Sequence, residues 1–274
     1  MTQENNKYLF LSDLDGTLLN DVKQITPKTL EALKSFVSRG NTFAICTGRD
    51  ITSATKVYEE LGLNVLRGCY IVSFNGGLIF DVDAKEIIHR DGLDFDIVED
   101  VFDIARDMGI HVQTYNDKFI LIEEFSESMA FYRKIIKTPI IIARNLMDFL
   151  DGIAYKILAI ELEDHDKMER FREVVLEKYA DRIDTFYSSE FYLELIPKGS
   201  GKGSALQMLR KILDVREDHT IAAGDADNDL SMLEAAGISI GMSNGEPSVK
   251  KVASMVTETD NNNDGLAPIL DSFV

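Results

Sequence analysis

The stretch Tyr8-Leu9-Phe10-Leu11-Ser12-Asp13-Leu14-Asp15-Gly16-Thr17 decides the fold. An apolar run breaks off into acids and a glycine, which predicts a buried parallel strand from Tyr8 to Ser12 with a loop at its carboxyl end. Working outward, Thr26 can cap a helix, Pro27 suits its first position, Leu30, Leu33, Phe36 and Val37 form its apolar stripe, and Gly40 stops it. Thr42 to Cys46 reads as a second strand, ending in Thr47-Gly48-Arg49-Asp50. A helix follows from about Ile51 to Leu61, and a third strand, Tyr70 to Phe74, ends at Asn75-Gly76-Gly77. This alternation predicts an α/β fold with a doubly wound, Rossmann-like parallel sheet.

The rhythm changes between residues 85 and 195. Phe95 to Met108 reads as a helix, and His111–Tyr115 with Phe119–Ile122 as a hairpin around Asn116-Asp117-Lys118. Ile153–Leu162 reads as a strand, Lys167–Tyr179 as a helix, and Arg182–Tyr187 with Phe191–Leu195 as a second hairpin. After Pro197 the alternation resumes: helix Lys202 to Leu213, strand Thr220–Ala223, helix Asp227 to Ala236, strand Ile238–Ile240. The reading is a core built from 1–84 and 196–274, interrupted by an α+β domain at 85–195. The compositionally biased patch Asp260–Asp264 reads as a loop before the final helix.

Net charge is −18, from 29 basic and 47 acidic residues. Such a surface repels nucleic-acid backbones and anionic lipid, so neither is expected as a partner. It also repels phosphate esters, so a phosphorylated ligand would need a metal, a few basic side chains and backbone amides at its site. Cys46 and Cys69 lie in apolar runs and read as buried, reduced thiols. The polar segment Met1 to Lys7 lacks a secretory pattern, and no apolar run nears the ~20 residues of a membrane span. A cytoplasmic protein is expected; monomer or homodimer is open.

In an open α/β sheet, ligands bind beyond the carboxyl ends of the strands. Asp13 and Asp15, Thr47-Gly48-Arg49, Asn75-Gly76, and Asp225 with Asn228 and Asp229 all fall there. Carboxylates gathered so closely cannot all stay ionised unaided. A hard divalent cation relieves them, and Mg²⁺ suits best, because it takes few protein ligands and shares phosphate oxygens. Asp-x-Asp-Gly-Thr is expected by chance in well under ~1% of chains this long, so it outweighs a reading as a helix cap and turn. Gly224 to Asp229 lacks the alternate-ligand spacing of a calcium loop. Pro197 to Ser204 lacks the first glycine of a Walker loop. Thr47-Gly48-Arg49 alone is equally a helix cap beside an arginine. Lys202 opposes the dipole of its own helix, which suggests another task, with a solvated lysine as the alternative.

Taken in order, Asp13-Leu14-Asp15-Gly16-Thr17, Cys46-Thr47-Gly48-Arg49, Ser73-Phe74-Asn75-Gly76-Gly77, Lys198-Gly199-Ser200-Gly201-Lys202-Gly203 and Gly224-Asp225-Ala226-Asp227-Asn228-Asp229 make the chain resemble the haloacid dehalogenase-like hydrolases, and within them the Cof-type phosphatases. One departure is Ala226-Asp227, where that family often has Asn and Glu. The resemblance implies that 85–195 is a substrate-selecting cap and that the enzyme hydrolyses a small phosphorylated metabolite, such as a sugar phosphate, with Mg²⁺. It implies Asp13 as nucleophile forming an aspartyl-phosphate, and Asp15 as general acid and base. It places Mg²⁺ on Asp13, the Asp15 carbonyl and Asp225, with Asn228 and Asp229 orienting waters. Thr47, Gly48 and Lys202 would hold the phosphoryl group, with Arg49, Asn75, Gly76 and Asn228 as further substrate contacts. An acid at position 15 favours phosphatase or phosphomutase chemistry over dehalogenation. A sugar phosphomutase of the same superfamily, or a weakly catalytic binding protein on this scaffold, are the alternatives. The aromatic groups Phe125/Phe131/Tyr132 and Phe186/Tyr187/Phe191/Tyr192 read as packing within the insertion, with a lining role as the other option.

Overall fold

The computed structural model describes residues 7–273; the segment 1–6, on which most of the expectation about the N-terminus rests, lies outside them. The chain folds as two units. One comprises 7–49, 54–89 and 201–273, the other 50–53 and 90–200.

The first unit carries an eight-stranded sheet in the spatial order Met255–Val256, Ile238–Gly241, Thr220–Gly224, Leu9–Ser12, Thr42–Cys46, Cys69–Ser73, Leu78–Asp81, Glu86–Arg90. The strands from Met255–Val256 through Cys69–Ser73 run parallel, and Leu78–Asp81 turns back antiparallel to Cys69–Ser73. Leu9–Ser12 lies at the centre, between Thr220–Gly224 and Thr42–Cys46, which is why it is apolar up to Ser12 and fully buried. Successive side chains leave opposite faces. Leu9 and Leu11 meet Ala205, Leu206 and Leu209 of helix Lys202–Ile212 and Met232 and Leu233 of helix Leu230–Ala235. Phe10 goes the other way, edge-on to Phe36 of helix Pro27–Ser38 at 6.0 Å. The sheet is therefore wound on both faces, the α/β class expected. Thr26 sits at the cap position of Pro27–Ser38, but its hydroxyl pairs with Thr29 Oγ1 at 2.9 Å instead of capping the backbone. Cys46 and Cys69 are free and buried.

The second unit is a six-stranded sheet in the order Ile183–Ser189, Tyr192–Pro197, Ile157–Ile160, His111–Tyr115, Ile120–Ile122, Ile140–Ile142, antiparallel except for the last pair. Helices Phe95–Met108 and His165–Tyr179 supply Val98, Val101, Phe102, Phe171 and Val175 to a core with Val112, Ile157, Ala159, Leu193 and Leu195. The opposite face mixes buried apolar side chains such as Leu158 and Ile160 with polar ones. Lys156 and Glu194 are almost fully buried there and pair at 2.8 Å, with the Lys156 ammonium 5.0 Å from the Tyr115 ring centre. Phe131 packs edge-on to Phe191 and Tyr132 edge-on to Tyr192.

Two boundaries differ from the sequence reading. The insertion was expected at 85–195, but Glu86–Arg90 adds a last strand to the first sheet, so the break falls after residue 89. Tyr192–Pro197 belongs to the second sheet, so the return falls at Gly201. The strand expected over Ile153–Leu162 is confined to Ile157–Ile160. No helix among the described residues is long and apolar enough to cross a membrane.

Candidate active site

The carboxyl ends of the central strands place the first unit's acids together. Asp13 follows Leu9–Ser12 directly, and its amide donates to Ala223 O of the neighbouring strand at 3.0 Å, which fixes the backbone at the turn. The chain then reverses at Gly16, whose φ is +90°. A Cβ there would lie 2.4 Å from Asp225 Oδ2, so only glycine lets the loop after the first strand press against the loop after Thr220–Gly224. Thr17 ties the two loops together, its hydroxyl donating to Asp225 Oδ1 at 2.7 Å.

Lys202 opens helix Lys202–Ile212 and points inward, 1% exposed. Its ammonium donates to Asp13 Oδ1 and to Asp229 Oδ1, both at 2.6 Å. The second oxygen of Asp229 accepts from the amides of Asp225, at 2.9 Å, and Ala226, at 3.1 Å. Asp229 is thus fully buried and fully engaged: it anchors Lys202 and fixes the backbone that presents Asp225. Asp13, Asp225 and Asp229 each bring a carboxylate oxygen within 4.8 Å of the others.

The charges in this cluster do not balance. Burial would push the Lys202 amine down, but Asp13 and Asp229 hold it above the usual range, so it is an ammonium ion. That one cation is shared. Asp13 is accordingly pushed up to about 7, first by burial, which outweighs Lys202, and then by the charges of Asp229 and Asp225. Asp225 is also raised, by burial and then by Asp229, against its bond from Thr17. Three acids around one lysine form a hard-oxygen donor set that lacks positive charge, which fits a small divalent cation held by Asp13 and Asp225, with Asp229 behind them.

Asp15 stands apart from this group. Its carboxylate, 40% exposed, receives Arg49 through Nη2 at 3.0 and 2.8 Å and Nε at 3.3 Å, and Lys23 through Nζ at 2.7 Å. Burial would raise it, but the hydrogen bonds and charges of Lys23 and Arg49 prevail and hold it below the ordinary carboxylate range.

The third side of the site is the turn after Cys69–Ser73. Asn75 donates its amide to Thr47 O at 3.0 Å and adopts a left-handed conformation, φ +55°. A Cβ at Gly76 would lie 2.2 Å from Gly201 O, so glycine is required there, and one at Gly48 would lie 3.0 Å from Asn75 Oδ1, a tight approach to a side chain. Thr47 is buried, its hydroxyl accepting from the Arg49 amide at 3.3 Å. Asn228 is exposed.

The structure therefore gathers Asp13, Lys202, Asp225 and Asp229 into one cluster, sets Thr47, Gly48, Asn75 and Gly76 against one another, and gives Arg49 to Asp15. Sequence reasoning did not single out Lys23, the Thr17–Asp225 bond, or Asn244, whose Nδ2 donates to Gly16 O at 2.8 Å. Thr17 had a signal, since it lies within the opening motif; Lys23 and Asn244 had none.

The family model described as haloacid dehalogenase-like hydrolase matches residues 10–270. The chain is 29% identical over 276 residues to the 5-amino-6-(5-phospho-D-ribitylamino)uracil phosphatase of Bacillus subtilis, with 98% of each chain covered. It is 29% identical over 248 residues to the HMP-PP phosphatase of Serratia proteamaculans, covering 88% of this chain and 85% of that one. The crystal structure of a haloacid dehalogenase-like hydrolase from Bacteroides thetaiotaomicron superposes with a TM-score of 0.84 at 28% identity, covering 98% of this chain and all of that one. With the matched span running through both units and every residue of the cluster inside it, the chain belongs to the haloacid dehalogenase-like hydrolases.

Proposed function

We propose that this protein is a Mg²⁺-dependent phosphatase that hydrolyses a small phosphorylated metabolite through an aspartyl-phosphate on Asp13. The observation that carries the proposal is the Asp13–Lys202–Asp229 arrangement beside Asp225. A buried carboxylate is held in place by a buried ammonium ion, in a cluster short of positive charge. Mg²⁺, bound by Asp13, Asp225 and the Asp15 carbonyl, would supply the missing charge and neutralise phosphoryl oxygens.

The chain's own residues account for the rest. Asp13 Oδ1 is fixed by Lys202, so its other oxygen is the one to attack phosphorus, with the ester oxygen leaving opposite. Lys202, Thr47 and the Gly48 backbone hold the transferring group, where positioning and charge dominate the rate. Asp15, two residues along, would protonate the leaving oxygen and then take a proton from the attacking water. In the structure Lys23 and Arg49 keep Asp15 ionised, which suits the second step. The first requires substrate to draw those cations away. The inserted unit, 90–200, would serve as the cap that selects the leaving group.

Relatives named as phosphatases support the reaction class, and their named substrates differ. The test is phosphate release from a panel of phosphate monoesters with Mg²⁺ and with EDTA. Metal-dependent release is expected. Isomerised product without phosphate release would overturn hydrolysis in favour of phosphoryl return to the substrate.

A further inference from the structure

Lys23 lies in the connection between Leu9–Ser12 and Pro27–Ser38, where neither strand-end logic nor the motifs direct attention. Its Nζ is 2.7 Å from Asp15 Oδ1, while Arg49 Nη2 covers Oδ2 of the same carboxylate at 2.8 Å. Two cations thus serve one anion, and the trio carries one positive charge in excess. In a chain of net charge −18 that local surplus is out of keeping with the surface as a whole. It is also accessible, because the Lys23 side chain is 62% exposed and that of Arg49 32%.

The backbone presents this lysine in a defined way. Lys23 has φ +61°, a left-handed conformation that glycine or asparagine adopts with less strain. The turn is closed by the Lys23 amide to Asn20 O and the Asn20 amide to Gln24 O, both at 2.9 Å. It is braced from outside by Asn261 Nδ2 to Leu19 O at 2.8 Å and by the Asp21 amide to Asn262 Oδ1 at 3.1 Å. A braced turn holds the ammonium ion near its working position, so little ordering is required when an anion binds.

We propose that Lys23, together with Arg49, recognises a second anionic group on the leaving part of the substrate, either a carboxylate or a second phosphate. The preferred substrates are then phosphate monoesters whose leaving group is itself negatively charged. This rests on the reading of Asp15 as the acid that faces the leaving oxygen, since the two cations flank that carboxylate.

The experiment compares kcat/KM, with Mg²⁺, for glycerol 3-phosphate, 3-phosphoglycerate and glycerol 1,3-bisphosphate in the wild type, Lys23→Met and Lys23→Arg. The ratio of an anionic ester to glycerol 3-phosphate is the readout, because loss of a cation beside Asp15 affects proton transfer to all three esters alike and cancels. For at least one anionic ester, Lys23→Met is expected to lower the ratio roughly tenfold, the scale of a partly exposed charge-assisted contact. Lys23→Arg should largely restore it. The carboxylate and bisphosphate arms report which anion is read. A ratio unchanged in Lys23→Met overturns this proposal alone; no phosphate release by the wild type from these esters or from any member of the phosphate monoester panel overturns the phosphatase reading along with it.

Discussion

Replacing Asp13 by Asn tests the chemistry and the electrostatics of the site together, because the two arguments predict opposite changes. Without metal, Asp13 is pushed up from 3.8 to about 7, chiefly by burial, with Asp229 and Asp225 adding to it against Lys202. An acid whose folded pKa exceeds its unfolded value penalises the folded state once it ionises. The folded chain keeps the proton longer, so stability falls as pH rises from about 4 to about 7, and the penalty is complete above that. At about 1.4 kcal/mol per tenfold in proton affinity, the gap amounts to about 4 kcal/mol. Asn removes that penalty, in which the attraction and hydrogen bond of Lys202 for the ionised Asp13 are already counted. Asp13→Asn should therefore be the more stable protein in EDTA at pH 8, by up to about 4 kcal/mol, or several degrees in Tm for a unit of this size. The advantage should vanish by about pH 4–5. Mg²⁺ should raise the Tm of the wild type more than that of the variant, since only the wild type offers the full anionic pair. Turnover should fall at least about 10³-fold with the nucleophile gone. Scanning calorimetry across pH, with and without Mg²⁺, and phosphate release from p-nitrophenyl phosphate measure all of this. A variant less stable than the wild type in EDTA at pH 8 refutes the charge-crowding account, and near-normal turnover refutes Asp13 as nucleophile.

Gly16→Ala must force a left-handed residue and move Asp225, since its Cβ would stand 2.4 Å from Asp225 Oδ2. A loss of roughly 2–4 kcal/mol by denaturant unfolding and a weaker Mg²⁺ activation constant are expected; an unchanged constant would free Asp225 from its assigned role. Lys156→Met leaves Glu194 buried without its ammonium partner and should cost about 3–5 kcal/mol, while adding Glu194→Leu should recover most of it. Failure of the double variant to recover would show the pair to be more than a structural exchange. His111, half-buried and held down to about 4 chiefly by desolvation, stays neutral in the fold while the unfolded chain protonates near 6.5. The contribution of His111 to stability should thus be flat above about pH 7 and fall by up to about 3 kcal/mol as pH drops from 6.5 to 4, against the opposite trend of Asp13; the difference between the wild type and His111→Gln in urea titrations across that window reads it.

The central strands were legible because burial on both faces leaves a mark that needs no partner to read. Leu9–Ser12, Thr42–Cys46 and Thr220–Gly224 are apolar runs that end in polar loops, and their carboxyl ends had to converge. That logic brought together Asp13, Asp225 and Asp229 from opposite ends of the chain, and Lys202, at the start of a helix, was marked by its opposition to the helix dipole and by the resemblance. Edge elements carry no such mark. Glu86–Arg90 is half exposed and rich in charge, so nothing local separates it from a loop, and the insertion was begun too early. Ile140–Ile142 is a strand because Ile120–Ile122 lies beside it, a fact of tertiary pairing that three residues cannot announce. The same limit hid Lys23 and Asn244. Their partners, the Asp15 carboxylate and the Gly16 carbonyl, are reached only through the shape of loops, and no spacing rule encodes that shape.

Asp15 and Asp13 stand two residues apart and have been driven in opposite directions by what surrounds them. Asp13 points into the protein, where a single lysine is divided between it and Asp229, so its charge is left partly uncompensated. Asp15 points outward, where two cations oversupply it. If Asp13 attacks phosphorus as proposed, it benefits from carrying charge that only an incoming cation and electrophile relieve, because stabilisation is then gained as the reaction proceeds and not before. The proton exchange proposed for Asp15 needs partners that can be displaced, and exposed side chains such as Lys23 can give way where a buried one cannot. The turn at Gly16 makes the separation possible: it folds the chain between the two carboxylates tightly enough that neighbours in sequence occupy different electrostatic environments.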